Sequence, residues 1–170
     1  MPQTTSAITF RPPQLQDAAA IHSLVEATGV LDCNSAYLYL LLCRHFRDTC
    51  LVADADGRIA GFVTAYRPVR HPQTLFVWQI GVDATHRRQQ IGSRLLTELV
   101  DRCRRVSPVR FVEATIADSN TASAALFHRL AEQWNVPFTR LPEAGFADDL
   151  FPRGHRHEAE PLIRIGPMSG

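Results

Sequence analysis

Arg87-Arg88-Gln89-Gln90-Ile91-Gly92-Ser93 is the stretch whose residue types and spacing point most directly to chemistry. It follows a β-branched and aromatic run, Thr74 to Val82. After it, apolar residues at Leu95, Leu96, Leu99, Val100 and Cys103 predict a helix. A loop that delivers backbone N–H groups at a helix N-terminus, with Arg87, Arg88 and Arg94 nearby, suits a di- or triphosphate. The unpaired amides, the helix dipole and the guanidinium charge all favour an anion there. A basic turn before a helix is also an ordinary solvated helix start, so the elements around it must discriminate.

Length and composition bound the answer. The 170 residues suit one domain, 1–170 with a core over about 8–166, long enough to bury a core. Hydrophobic content of 45% and charged content of 21% are those of an ordinary globular chain. A net charge of +1 argues against a broad nucleic-acid surface, which needs concentrated positive charge. All 18 basic residues are arginine, which excludes a lysine nucleophile or Schiff base. Met1 to Phe10 lacks the basic and apolar regions of a signal peptide, and the longest apolar run, Ala36 to Cys43, is too short to span a bilayer. Cys33, Cys43, Cys50 and Cys103 form neither a C-x-x-C pair nor a zinc-ligand spacing. A cytoplasmic protein with reduced cysteines and no membrane contact is expected.

The elements that would position the loop follow from periodicity and turn chemistry. Ile8 to Arg11 reads as a strand, and Ile21, Leu24 and Val25 as a helix stopped by Gly29. Asn34 or Ser35 can cap a second helix whose apolar face includes Leu38, Leu41, Leu42 and Phe46. Cys50 to Ala53 and Ile59 to Tyr66 are strands around the turn signal Asp54-Ala55-Asp56-Gly57-Arg58. The helix after the arginine loop ends near Arg102 to Arg105, where cations offset the helix dipole. Phe111 to Ile116 is a further strand, and Asp118-Ser119-Asn120 can cap a helix carrying Ala124, Leu126, Phe127, Leu130 and Ala131. The tail holds short strands at Phe138 to Arg140 and Leu162 to Ile165, separated by a polar loop. The predicted order is β-α-α-β-β-β-α-β-α-β-β.

The loop resembles the acyl-CoA-binding segment of the GNAT acetyltransferases, which reads Arg/Gln-x-x-Gly-x-Gly/Ala, with Gln90 in place of the middle glycine. The element order agrees independently with that superfamily. The resemblance narrows to the L-2,4-diaminobutyrate acetyltransferase family of ectoine biosynthesis through Leu31-Asp32-Cys33-Asn34-Ser35-Ala36-Tyr37 and Leu75-Phe76-Val77-Trp78-Gln79. Asn120-Thr121-Ala122-Ser123 and Gly154-His155-Arg156-His157-Glu158-Ala159-Glu160 fit it as well, so the likeness runs from about Phe10 to Ile165. It implies an α/β fold of the GNAT type, with a mixed central sheet whose central strands splay and helices flanking it. It also implies acetyl-CoA as cosubstrate, L-2,4-diaminobutyrate as substrate, a homodimer, and acetylation of the γ-nitrogen by direct attack in a ternary complex.

The resemblance further implies residue roles. Main-chain atoms of Ile80, Gly81 and Val82 would hold pantetheine and polarise the thioester carbonyl, and Arg87, Arg88, Gln89, Gln90, Ile91, Gly92 and Ser93 would cradle the pyrophosphate. Gln90 must then point outward. Asn120 would bond pantetheine or simply cap its helix. Phe127 stands near where many relatives place a general-acid tyrosine, so the acid is unassigned. An alkyl ammonium has a pKa of about 10.4, so freeing its lone pair near neutrality costs roughly 4 kcal/mol. A carboxylate would hold the cation while a base or water chain removes the proton. Asp32, Glu113 and Glu158 are the candidates, with His155 as relay; capping competes for Asp32 and solvent exposure for the two glutamates. Asn34 and Tyr37 lie on the same element as Asp32, and Trp78 would wall the amine pocket or pack in the core. His155 and His157 lack a third spaced ligand, so no metal is expected. Two alternatives differ in class: a GNAT enzyme for another small amine, and a non-catalytic acyl-CoA sensor.

Overall fold

The computed structural model describes residues 7–154 and 157–169. His155 therefore lies outside the described residues. The elements are β1 (Ile8–Arg11), α1 (Ala18–Thr28), α2 (Ala36–His45), β2 (Cys50–Ala55), β3 (Arg58–Tyr66), β4 (Thr74–Val82), α3 (Ile91–Val106), β5 (Phe111–Thr115), α4 (Thr121–Trp134), β6 (Phe138–Phe146) and β7 (Glu160–Ile165). This is the order that periodicity predicts. The chain divides into two compact units, Met1–Tyr66 with Gln79–Val106, and Arg67–Trp78 with Ser107–Gly170. Strand β4 passes through both.

In the first unit the hydrogen-bonded strand order is β1-β2-β3-β4. The β2–β3 hairpin closes through Asp56 and Gly57, both at positive φ (50° and 83°), the geometry that matches the right-handed strand twist. Alternation sends Val52 and Phe62, which pair across the hairpin, to one face of the sheet. There they join Ile21, Leu24 and Val25 of α1 and Tyr39, Leu42 and Cys43 of α2 in one apolar cluster. The opposite face receives α3, whose Ile91, Leu95, Leu96, Leu99, Val100 and Cys103 are buried at helical spacing. Gly61 permits this approach, since a Cβ there would lie 3.1 Å from the Ile91 Cγ2 atom. Each large aliphatic side chain fully buried in this way stabilises by about 2 kcal/mol. Gly29 ends α1 at φ 66°, as its place in the sequence predicts.

In the second unit the order is β4-β5-β7-β6, with β4–β5 parallel and β5–β7 and β6–β7 antiparallel. α4 buries Phe127, Leu130 and Ala131. Strand β6 is longer than its composition suggests. It continues from the expected Phe138–Arg140 segment to Phe146, with a register shift against β7 between Leu141 and Phe146. Pro142 and Gly145 hide this strand from pattern reading, yet both suit an irregular edge. A Cβ on Gly145 would meet the Glu160 carbonyl oxygen at 2.1 Å, so only glycine allows the two backbones this close.

Candidate active site

The parallel pairing of β4 with β5 covers only Thr74, Leu75 and Phe76, opposite Phe111, Val112 and Glu113. Both strands continue beyond it, so the main chain of β4 from Val77 onward runs past its parallel neighbour. Ile80 and Val82 are half-buried there and Gly81 is buried. A side chain at Gly81 is excluded by the Phe62 ring, 2.7 Å from where its Cβ would stand. After β4, the Asp83 N–H donates to the Ala60 carbonyl at 2.9 Å. The Asp83 carboxylate accepts from the hydroxyl and the N–H of Thr85. The Thr85 hydroxyl, then its amide, holds that carboxyl below the usual range.

The arginine loop follows. Arg87, Arg88, Gln89 and Gln90 are exposed, and among the described residues neither Arg87 nor Arg88 has a carboxylate partner. The Arg94 N–H donates to the Gln90 carbonyl at 3.0 Å and opens the helical ladder. The amides of Ile91, Gly92 and Ser93 therefore precede any intrahelical acceptor and are the groups available to an anion. Arg94 itself stacks over the Phe10 ring, 4.6 Å from its centroid. Arg88 and Gln90 adopt the left-handed conformation, at φ 62° and 59°. Gln90 is exposed and its left-handed backbone carries strain that a glycine would remove. Gln90→Gly is expected to raise unfolding stability by about 1 kcal/mol. Urea titration checks this, and an unchanged midpoint would show that the strain is compensated elsewhere.

In the first unit, Asp32 is exposed, and it is Ser35, not Asp32, that stands at the N-cap of α2. Two donors hold the Asp32 carbonyl oxygen: Gln79 Nε2 at 2.9 Å and Asn34 Nδ2 at 3.3 Å. Tyr37 is 67% exposed, which sets aside its reading as a packed helix residue. The tyrosine joined to the Asp32 segment is Tyr39, fully buried, whose hydroxyl donates to Gln79 Oε1 at 2.9 Å. Burial pushes this hydroxyl above its usual range, while its hydrogen bonds with Asn34 and Gln79 act the other way. Gln79 and Tyr39 were not among the residues singled out. The available signal was a glutamine inside an otherwise apolar strand.

In the second unit, cross-strand register puts Phe76, Glu113 and Arg164 in one row. Alternation adds Trp78, Thr115, Leu162 and Glu160 to the same face. Trp78 is 43% exposed, so its reading as a core tryptophan does not hold. Glu113 is buried and its carboxylate accepts from Arg164 Nε at 2.6 Å, with Arg164 also over the Phe111 ring. Its charge is already matched, and the expected solvent-facing glutamate is absent. Glu158 is exposed and accepts from the Ser119 N–H at 3.3 Å. Glu160, half-buried, accepts the Thr115 hydroxyl at 2.7 Å. Among the described residues it has no arginine. Glu160 was missed because a tail acidic residue looks solvated until the register with Thr115 is known. His157 stacks on Phe151 with ring centroids 4.4 Å apart. Asn120 caps α4, its Oδ1 accepting the Ser123 N–H at 3.2 Å, and Phe127 is buried.

A strand edge that outruns its parallel neighbour, feeding directly into helix-start amides flanked by exposed arginines, is the arrangement of a CoA-dependent acyltransferase. The chain belongs to the acetyltransferase (GNAT) family, whose family description matches residues 18–131. Within it, the chain is 46% identical to an L-2,4-diaminobutyric acid acetyltransferase of Halalkalibacterium halodurans, covering 96% of this chain and 84% of that protein. It is 41% identical to the protein of the same name from Marinococcus halophilus, covering 98% and 94% respectively. Among solved structures, diaminobutyrate acetyltransferase EctA from Paenibacillus lautus, in complex with its substrate L-2,4-diaminobutyric acid and coenzyme A, superposes with a TM-score of 0.91. That match has 42% identity and covers 97% of this chain and 98% of the other.

Proposed function

We propose that this protein transfers the acetyl group of acetyl-CoA to the γ-amino group of L-2,4-diaminobutyrate. The observation that carries this reading is the whole-length likeness to the Paenibacillus lautus enzyme, described with that amino acid and coenzyme A. Acetyl-CoA supplies an activated thioester. Arg87 and Arg88 and the amides of Ile91, Gly92 and Ser93 bind its pyrophosphate, with Gln89 and Gln90 shaping the loop. The main chain of Ile80, Gly81 and Val82 binds pantetheine, with Asn120 and Phe127 contributing from α4.

The amine is held by carboxylate and proton-accepting groups drawn from Asp32, Asn34, Tyr37, Glu158 and His155. Trp78 walls the apolar part of the amino acid. We add Glu160 to this set, because a half-buried carboxylate without an arginine suits an incoming ammonium, whereas Glu113 is neutralised by Arg164. Direct attack by the amine is favoured over an acyl-enzyme. Burial pushes the thiols of Cys43 and Cys50 to about 11 and about 12, which removes these two of the four cysteines as nucleophiles near neutrality. The protein acts in ectoine formation, in the cytoplasm, as a homodimer. No helix among the described residues is long and apolar enough to cross a membrane, which agrees with that placement.

The test is thiol release from acetyl-CoA with L-2,4-diaminobutyrate, beside ornithine, lysine and spermidine, with the acetylated position read by NMR. Preference for diaminobutyrate with γ-acetyl product is expected. Preference for another amine would keep the family and discard the substrate; CoA binding with no turnover would move the protein to the sensor class.

A further inference from the structure

Gln79 makes more buried polar contacts than a strand residue needs. Its N–H donates to Thr64 Oγ1 at 3.2 Å, and Thr64 Oγ1 lies 3.4 Å from the Gln79 carbonyl, so β3 fixes its main chain. Its side chain then reaches the Asp32 carbonyl and the Tyr39 hydroxyl. Gln79 is 6% exposed and Tyr39 fully buried, so water is no substitute partner for either. The chemistry dictates the arrangement. A carbonyl can only accept, so the amide nitrogen must face Asp32, which leaves the amide oxygen for a hydroxyl that must donate. At neutral pH an amide of this length satisfies both ends, whereas an ionised carboxylate supplies no donor.

The segment so held has no regular structure of its own. Residues 32–35 link α1 to α2 without helix or strand. Its anchors to the sheet and to α2 include the bonds that meet at Gln79, with Asn34 reinforcing the same Asp32 carbonyl and itself bonded to Tyr39. The two sequence elements that narrow the family, Asp32-Cys33-Asn34-Ser35-Ala36-Tyr37 and Phe76-Val77-Trp78-Gln79, are thereby joined through one side chain.

We infer that Gln79 is the positioning residue of the amine site, holding the Asp32 segment at the pose that recognises diaminobutyrate and setting affinity for the amine but not for acetyl-CoA. This rests on the functional reading above, in which Asp32 contacts the amine.

Kinetic constants for both substrates test it in Gln79→Glu, Gln79→Met and Tyr39→Phe. Gln79→Glu keeps the acceptor for Tyr39 but, when ionised, loses the donor for the Asp32 carbonyl. It is expected to raise KM for diaminobutyrate about tenfold, with KM for acetyl-CoA unchanged within about twofold. Lowering the pH protonates the new carboxyl and restores a donor, so the ratio of Gln79→Glu to wild-type kcat/KM rises toward acid. Gln79→Met loses both bonds and shows the same KM split without pH rescue. Tyr39→Phe keeps the Asp32 bond and shifts KM for the amine by less than about threefold. Unchanged amine KM in folded Gln79→Glu and Gln79→Met, or parallel rises in both KM values with a lowered Tm and no pH rescue, would overturn the inference. A wild-type protein that prefers another amine overturns the substrate reading instead, and the same split measured on that amine still judges Gln79.

Discussion

Glu160→Gln is expected to lower kcat/KM for diaminobutyrate by about two orders of magnitude, with KM for acetyl-CoA and Tm nearly unchanged. Three carboxylates of one unit differ in their partners. Glu113 is closed off by Arg164 at 2.6 Å, and Asp118 by Arg140 at 2.7 Å. Glu160, half-buried, accepts the Thr115 hydroxyl at 2.7 Å, has His157 within 4.8 Å, and among the described residues has no arginine. A carboxylate in that setting gains most from a cation that arrives with the substrate, and glutamine preserves its shape while removing the charge. Losing one partner of a desolvated charge pair costs about 2–5 kcal/mol, and partial exposure places Glu160 near the lower end. Glu113→Gln is the opposite control. It should cost about 2 kcal/mol of folding stability, because it strips the charge from a largely buried ion pair, and leave the amine KM alone. Steady-state kinetics beside thermal unfolding separate the two. Equal kinetic losses in both variants would mean that the ion pair, not Glu160, governs the amine.

Charge reversal at Arg87 and Arg88 together is expected to raise KM for acetyl-CoA by about a hundredfold, with the amine KM within about twofold. Both side chains are exposed and lack carboxylate partners among the described residues, so they cost nothing to desolvate from each other and hold nothing together in the fold. Their charge is available to a diphosphate, beside amides that α3 leaves unpaired. The wild-type KM for acetyl-CoA should rise with ionic strength, and the reversed variant should show a flat or inverted salt dependence. Calorimetric binding of CoA at two salt concentrations checks this. A salt-independent wild-type affinity would assign the phosphate contacts to main-chain amides alone.

The order of elements and the phosphate loop were legible in the residues themselves. Helical spacing at Leu95, Leu96 and Leu99, the Asp56-Gly57 hairpin and the Gly29 stop are local signals, because side-chain period and φ preference act within a few residues. The loop was legible for the same reason, since a helix start makes its own anion site. Even the departure at Gln90 could be located, though its left-handed φ of 59° required coordinates.

The amine side was not legible in this way, because its geometry depends on register between strands and on which buried groups find partners. A glutamate between Val112 and Ala114 reads the same whether it faces water or an arginine; pairing of Glu113 with Arg164 across β5 and β7 decided it. Tyr37 and Tyr39 differ in sequence only by place on a helix, yet burial selected Tyr39 and the Gln79 amide bound it. Glu160 and the far half of β6 emerged from the β7 ladder, where Gly145 lets two backbones meet. The sequence by itself determined the family, the acetyl-CoA cosubstrate and the succession of elements. Tertiary structure decided which carboxylates pair with an arginine among the described residues and which polar side chain holds the Asp32 segment, because charge pairing and burial are settled between residues far apart in the chain.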